Sequence, residues 1–214
     1  MVWYDYVNFG LIFVNWILIF SEINSFYKAR KFWILFFATY TLTEIISLPF
    51  SLKGLNNLWL YNISKPIQFG FLILYFSSVL KIKNINKYFL VLVIVLIGIY
   101  FRYTSKLNDY NSLEDVLYSG IIIVFCTKYF FELIKAENFL SLHCTEFWYC
   151  SSLFIFYGTN FCVTGSMNFL IKNQLEIAGK LFYVLVAGSI LFYITNIYAW
   201  ALSNKPDKVK KNAR

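Results

Sequence analysis

The sequence has 214 residues, of which 59% are hydrophobic, 22% aromatic and only 14% charged, with a mean hydropathy of +0.61. Soluble domains carry about 25% charged residues, so this composition excludes a soluble globular domain and predicts an integral membrane protein. The formal net charge is +8. Because the basic residues cluster in loops and at the C-terminus, we expect anionic lipid headgroups of the bilayer as partners, and no nucleic acid.

Taken in chain order, seven apolar stretches have lengths that suit membrane crossing, which needs about 20 helical residues. We therefore predict an all-α polytopic membrane protein, a seven-transmembrane-helix bundle in a single domain over 1–214 with a basic cytoplasmic tail at 203–214. Short connections should make consecutive helices antiparallel neighbours. The predicted spans are about 6–23, 32–52, 57–80, 87–103, 113–134, 145–171 and 179–202.

The basic residues are unequally shared between the two sides of these spans. Thirteen Lys and Arg residues fall on the side of the C-terminus and five on the other side, with Lys65 inside a span. The positive-inside rule then predicts an outer N-terminus and a cytoplasmic C-terminus. The basic residues nearest the first span follow it rather than precede it, so that span should be a retained helix and not a cleavable signal peptide.

The third span carries polar residues within its length. Asn62, Lys65 and Gln68 are three residues apart, so they form one stripe on a helix face, which we expect to face the bundle interior. A charged side chain near the bilayer centre costs at least ~2.5–3.5 kcal/mol. Lys65 therefore needs a partner, a watery cavity or a route to the interface.

The second span supplies a candidate partner for Lys65. Glu44 lies about eight residues before the outer end of its span, and Lys65 lies about eight residues after the outer start of the next. The two side chains should have a similar depth on neighbouring antiparallel helices. Three interpretations remain open: a structural ion pair, a ligand or ion site lining an outward-facing cavity, or two side chains that snorkel in different directions.

Two prolines favour a pocket at the same place. Pro49 and Pro66 lie inside the second and third spans, where each removes an amide and frees the carbonyl four residues earlier. Free carbonyls at membrane depth are tolerated where they are buried or line a cavity. The candidate residues for a ligand or ion pocket are Glu44, Asn62, Lys65, Gln68 and Asn160.

Small and polar residues also mark the other spans. Gly158 and Gly165 are one heptad apart in the sixth span, beside Asn160, and such spacing indicates close helix packing more readily than substrate contact. Asn15 and Asn196, in the first and seventh spans, should hydrogen-bond across helices.

At the start of the fifth span, the segment 111–115 reads as a capping box. Ser112 is the expected N-cap, and Glu114 and Asp115 are expected as solvated residues of the cap.

Metal and nucleophile chemistry have little support. The one histidine, His143, has only Cys144 and Glu146 near it in sequence, which is too few ligands for a zinc site. The four cysteines fall in spans or on the cytoplasmic side, so they should be free thiols. No phosphate-binding or hydrolase motif occurs. We predict no metal, no cofactor and no catalytic residue, so the protein is not expected to be an enzyme.

Two segments, LWLYNISKPIQF and FWYCSSLFIFYGTNF, resemble the best-marked segments of small seven-helix integral membrane proteins of Bacteroidota. Those patterns read approximately L-Y-x-I-Y-x-x-I-E-F and F-W-x-x-x-G-x-L-I-Y-x-x-G-x-F. The resemblance implies a multi-pass protein of a bacterial inner membrane and a gene neighbourhood with histidine kinases or other regulators. Gln68 stands where the family usually has Glu, and Ser151 replaces or shifts a glycine, so a proton-linked role for position 68 does not carry over.

Two function classes follow, with others behind them. The first is a receptor-like or signalling accessory protein with an outward-facing polar pocket, acting through a partner protein or as a homo-oligomer. The second is a channel or transporter for ions or small solutes, although no inverted repeat supports it. A membrane enzyme comes third, and a membrane-acting defence effector is a further alternative.

Overall fold

The structure, a computed structural model, describes residues 3–21, 28–104, 111–135 and 144–203. His143 and nearly all of the basic tail lie outside these residues. Within the described ranges the regular elements are helices, which confirms the all-α prediction, and their ends lie within a few residues of the predicted spans. They are α1 (Trp3–Ser21), α2 (Lys28–Leu52), α3 (Leu58–Val79), α4 (Asn84–Thr104), α5 (Ser112–Lys135), α6 (Thr145–Asn173) and α7 (Leu175–Ser203).

Four of these helices are long and apolar enough to cross a membrane. Their qualifying segments are Tyr4–Ser21, Arg30–Leu52, Ser112–Lys135 and Glu176–Ser203. In α4 the apolar part is shorter, Tyr88–Phe101, and α3 and α6 are not among the four. The fold is therefore compatible with a membrane protein, and seven crossings stay a prediction.

The chain forms two compact units, which are described separately. The four-helix unit comprises Met1–Asn24 and Asp115–Arg214, and so contains α1, α6, α7 and nearly all of α5. The three-helix unit comprises Ser25–Glu114, with α2, α3 and α4. A single domain over the whole chain stays a prediction.

In the three-helix unit, α2 and α3 form an antiparallel hairpin. Near the connecting turn the ring of Phe50 lies 5.8 Å from that of Trp59, and far from it Trp33 lies 5.1 Å from Tyr75. Later residues of α3 thus contact earlier residues of α2, which shows that the two helices are antiparallel. Helix α4 follows a short turn and packs against α3.

The turn between α2 and α3 is built by its own sequence. Gly54 has a φ of 64°, a left-handed conformation that glycine adopts at little cost. Its N–H donates to the Ser51 carbonyl at 3.1 Å, and the N–H of Leu55 donates to the Phe50 carbonyl at 2.9 Å. These two bonds satisfy the last carbonyls of α2 as in a Schellman motif, and they reverse the chain into α3.

In the four-helix unit, α6 and α7 form a second antiparallel hairpin. Phe156 packs on Phe192 with ring centroids 5.1 Å apart, and Trp148 packs on Tyr198 at 4.7 Å. A single residue, Gln174, separates the two helices, whereas the spans predicted a longer connection. Both helices extend into the predicted connection. The N–H of Gln174 donates to the Leu170 carbonyl and completes the last turn of α6, and the carbonyl of Gln174 accepts from Ile177 and Ala178 in the first turn of α7.

Helices α6 and α7 approach closely at a glycine that the sequence did not single out. A Cβ added at Gly188 of α7 would lie 2.5 Å from Oγ1 of Thr159 on α6. The prediction of close packing at Gly158 is wrong, since nothing lies within 4 Å of a Cβ there. Gly165 faces α5, at an ordinary 3.5 Å from Val116.

Helices α1 and α5 complete the four-helix unit, α1 against α7 and α5 against α6. Tyr4 of α1 lies against Phe182 of α7 at 5.8 Å between ring centroids, and Asn15 reaches Tyr193, so α1 runs parallel to α7. Helix α5 packs on α6 through Phe130, whose ring lies 6.0 Å from that of Phe154.

The predicted cross-helix bonds of the two asparagines are confirmed. Asn15 Nδ2 donates to the Tyr193 carbonyl at 3.3 Å, and Asn196 Nδ2 donates to Ser152 Oγ on α6 at 3.4 Å. The cysteine prediction is confirmed as well, because none of the four cysteines, all within the described ranges, forms a disulfide.

The cap of α5 differs from its prediction by one residue. Oδ1 of Asn111, not the hydroxyl of Ser112, accepts the N–H of Glu114 at 3.2 Å, because Ser112 already lies in the first turn. The side chain of Glu114 is fully buried, so its expected solvated position is wrong. Asp115 is half-buried.

Candidate functional site

Helix α2 presents a polar face toward α3. Thr43 and Ser47 are one turn apart, so they share a face, and both are buried. Their hydroxyls donate to carbonyls of their own helix, from Thr43 to Thr39 at 2.8 Å and from Ser47 to Glu44 at 2.9 Å. Hydroxyls in this arrangement can still accept a hydrogen bond from a neighbouring helix.

Tyr61 of α3 connects this face to Glu44. Its hydroxyl donates to Oε2 of Glu44 at 3.1 Å and lies 2.9 Å from Oγ of Ser47. An ionised carboxylate can only accept, so the phenolic hydrogen goes to Glu44. The hydroxyl of Ser47 has one hydrogen, for which the Glu44 carbonyl and the phenolic oxygen compete. The result is a short chain of polar groups across the two helices, which runs from a serine through a phenol to a carboxylate.

Gln68 makes a second cross-helix contact, two turns further along α3. Its Nε2 donates to Oγ1 of Thr43 at 3.2 Å and to Oγ of Ser64 at 3.3 Å, which occupies both amide hydrogens. Each hydroxyl also donates to a backbone carbonyl, so the amide must act as donor here. A carboxylate at position 68 could donate neither bond, so the hydroxyls of Thr43 and Ser64 would have to turn from their backbone carbonyls and donate to it.

The antiparallel register brings the two predicted charges to the same level. The rings of Phe50 and Trp59 and those of Trp33 and Tyr75 face each other, and counting inward from the turn puts Glu44 level with Lys65. Lys65 also lies one turn after Tyr61, on the same face of α3, and is half-buried. Whether the two side chains form an ion pair stays a prediction.

We call this set of side chains the α2–α3 cluster, and its members are Thr43, Glu44, Ser47, Tyr61, Asn62, Ser64, Lys65 and Gln68. Asn62 is buried, with 2% of its surface exposed. Of the predicted pocket residues, the structure gathers all but one on this hairpin. Asn160 lies on α6 of the four-helix unit, where its Nδ2 donates to the Phe156 carbonyl at 2.9 Å, and its place in a common pocket stays a prediction.

Sequence reasoning missed Tyr61, Ser47, Thr43 and Ser64. A signal was available on α2, because Thr39, Thr43 and Ser47 recur at four-residue spacing and mark one polar helix face. Tyr61 was harder to find. A tyrosine near a helix end is usually taken for a membrane-interface residue, and only the register of the hairpin puts its hydroxyl beside Glu44.

The α2–α3 cluster combines a carboxylate, a phenol, hydroxyls, amides and a primary amine between two predominantly apolar helices. Such groups can hold the polar part of a small molecule by hydrogen bonds, and the phenol–carboxylate contact can share a proton. Among the described residues, no three His, Cys, Asp or Glu side chains are grouped so that they could hold a metal ion. The side chains of the α2–α3 cluster are thus suited to recognising a polar group by hydrogen bonds.

No family model, no curated protein and no solved structure matches the chain.

Proposed function

We propose that the protein is an integral membrane receptor-like or signalling accessory protein, and that the α2–α3 cluster lines an outward-facing polar pocket. The observation that supports this proposal is the bond from Tyr61 to Glu44, level with Lys65, inside a hairpin with one helix apolar enough to span a bilayer. Polar and ionisable groups at membrane depth are expensive and commonly functional. The resemblance to Bacteroidota seven-helix proteins points the same way, toward a partner that carries the output.

The proposal includes seven crossings of a bacterial inner membrane, with the N-terminus outside. In that topology the turn between α2 and α3 faces outward, so the α2–α3 cluster lies about 10 Å below the outer helix ends. The topology is tested by a cysteine placed at Asn108, which a membrane-impermeant reagent should label in intact cells. A reporter fused after Arg214 should be active only in the cytoplasm. Labelling of position 108 only after lysis would contradict this orientation.

Ligand binding is tested on the purified protein in lipid nanodiscs. Thermal melting is measured with millimolar glycine, ethanolamine or acetate, which represent a zwitterion, a cation and an anion. A pocket ligand that binds only the folded protein raises its stability, by about 2.7 kcal/mol at a concentration of 100 Kd. We expect one of the probes to raise the melting temperature of the wild type, and Tyr61→Phe to reduce that rise. No rise with any probe would contradict a pocket for small polar molecules.

The second candidate, a channel or transporter, is separated by flux. Proteoliposomes containing the wild type should show no more ion or probe uptake than empty liposomes if the α2–α3 cluster only recognises its ligand. Uptake that disappears in Glu44→Gln would replace the receptor proposal with transport. A tag on the cytoplasmic tail, followed by chemical cross-linking in the native membrane, then identifies the partner that the receptor proposal requires.

A further inference from the structure

The four-helix unit contains a second polar group of residues, independent of the α2–α3 cluster. Asn15 of α1 is fully buried, and its Nδ2 donates to the carbonyls of Leu11 and Tyr193 at 2.9 and 3.3 Å. Its Oδ1 is also buried, and nothing in the described part of the chain donates a hydrogen bond to it. The NH₂ group of this side-chain amide therefore has its hydrogen-bond partners, whereas the oxygen has none among the described residues.

Asn196 of α7 repeats the same pattern. It is fully buried, and its Nδ2 donates to the Phe192 carbonyl at 2.7 Å and to Ser152 Oγ at 3.4 Å. Its Oδ1 has no donor within the ranges the structure covers. Since the acceptors Phe192 and Tyr193 are consecutive residues, both amides are attached to neighbouring carbonyls and lie within one helical turn of each other.

Exchanging the oxygen and nitrogen of either amide does not remove the problem. The carbonyls of Leu11, Phe192 and Tyr193 can only accept, so a reversed amide would direct oxygen at oxygen. The orientation is thus fixed by the backbone, and both Oδ1 atoms must take a hydrogen from something other than these neighbours. Buried polar groups in folded proteins nearly always have such a partner, either protein or ordered water.

A third group decides between a cation and water. Trp200 lies one turn after Asn196 on α7, and its Nε1 is a buried donor with no acceptor among the residues described. A cation would gain from the two oxygens, but it could not accept the hydrogen bond that the indole N–H, on the same face of α7 as Asn196, has to donate. Neither asparagine carries a charge to offset that of a cation, whose desolvation is costly. Water donates two hydrogen bonds and accepts others, which suits all three groups, and buried waters typically make about three bonds.

We infer that the four-helix unit binds ordered water where α1, α6 and α7 meet. This water donates to Oδ1 of Asn15 and of Asn196 and accepts from the indole of Trp200. Because one hydrogen-bonded water links α1 to α7, the two asparagines act as a single unit. The inference concerns α1, α6 and α7 and does not depend on the proposed function of the α2–α3 cluster.

The test is a double-mutant cycle on the full chain in nanodiscs, with melting temperature as the readout. Asn15→Leu and Asn196→Leu should each lower the melting temperature, by roughly 3–6 °C for a chain of this size. The double variant should lose little more than the worse single variant, because the shared water is lost only once. Asn173→Leu is the matched control, since this exposed asparagine also donates to its own helix, and its melting temperature should hardly change.

Three results would overturn the inference. The first is a double loss equal to the sum of the single losses, and the second is a rise in melting temperature in either single variant, as expected for an acceptor that has no water. The third is a melting temperature that rises when NaCl replaces choline chloride, in the wild type but not in Asn15→Leu, because this assigns the site to a cation.

A second measurement covers variants that fail to fold. Water-edited solid-state NMR of the wild type in bilayers should show magnetisation transfer from water to the side-chain amides of Asn15 and Asn196. The residues are assigned with Asn→Gln variants, which keep an amide. Amides with no transfer from water would refute the site whatever the stability data show.

Discussion

The two helical hairpins of the molecule have the same design but satisfy their polar residues differently. The α2–α3 and α6–α7 hairpins each pair one of the four helices that qualify for membrane crossing with a helix outside that set. In α6 the polar side chains bond mainly to their own backbone, as Ser151, Thr159 and Thr164 do. In α3, Tyr61 and Gln68 bond across to α2.

The difference shows what each hairpin depends on. A side chain that bonds to its own helix makes no demand on the neighbour, so α6 meets α7 mainly through ring contacts and the close approach at Gly188, with the bond from Asn196 to Ser152 as the polar contact between them. A side chain that bonds across requires a particular residue at a particular level, so α3 needs α2 in one register. We therefore expect polar substitutions to destabilise the α2–α3 hairpin most, and steric substitutions to destabilise the α6–α7 hairpin most.

The largest effect should come from the charges level with each other on α2 and α3. If Glu44 and Lys65 are paired, Glu44→Gln or Lys65→Met alone leaves a half-buried charge without its counterpart. Breaking a fully buried pair typically costs ~3–5 kcal/mol, so we expect a loss toward the lower end of that range. Each single variant should melt well below the wild type, and the double variant should recover much of the loss. Melting in nanodiscs, followed by tryptophan fluorescence, measures all four proteins.

Retention of function then separates the two interpretations of the pair. A structural pair leaves the double variant both stable and active, whereas a ligand site leaves it stable but unresponsive. Losses that add in the double variant would show that the two side chains never meet.

The next effect in size should follow from Tyr61→Phe. This change removes the hydrogen bond to Glu44 and the contact with Ser47 while keeping the ring. Hydrogen bonds to charged groups contribute about 1.5–3 kcal/mol, so the free energy of unfolding should fall by that order. Tyr183→Phe is the control, because that tyrosine is exposed on α7, and an equal loss in both variants would argue against a special role for Tyr61.

The steric side of the comparison is tested by Gly188→Ala. The new methyl group would meet the hydroxyl of Thr159, and overpacking of this kind typically costs about 1–3 kcal/mol. Thr159→Ala in the same chain should restore part of the loss by removing Oγ1. Gly158→Ala, with open space around its Cβ, should instead stabilise α6 by about 0.5–1 kcal/mol. Equal effects at the two glycines, measured by melting, would contradict the packing described here.

The smallest effect concerns the far end of α3. Lys81 has a φ of 53°, and the next amide, of Ile82, donates to the Ser77 carbonyl at 2.9 Å. A non-glycine residue in this left-handed conformation costs roughly 1–2 kcal/mol, part of which Lys81→Gly should recover as a higher melting temperature. Lys83→Gly is the charge-matched control. A lower melting temperature in Lys81→Gly alone would mean that its side chain makes a stabilising contact.

Much of the fold could be predicted from the sequence, because hydropathy and turn chemistry are local. The helix ends and the level of Glu44 with Lys65 follow from counting residues. The contact between Gly188 and Thr159 could not be predicted in this way, since it depends on which face of α7 turns toward α6. Helices that are apolar all round give no periodicity from which to read that face.

The candidate site could be predicted from the sequence only in part, for a related reason. The charged and amide members stood out because they are rare in apolar segments, whereas Tyr61 did not, since tyrosine is common in this chain. The cap at Asn111 and the burial of Glu114 were missed because a one-residue shift of a helix start changes which side chain faces inward.

The one-residue junction at Gln174 has a consequence for how the chain is made. A helix that inserts poorly by itself can enter a bilayer when a very short connection joins it to a strongly apolar helix. If α6 and α7 cross the membrane as proposed, they must leave the translocon together, with α7 supplying the driving force for both. A flexible insert at Gln174 should uncouple them and leave α6 outside the lipid, so glycosylation or protease sites engineered into α6 would become accessible during biosynthesis.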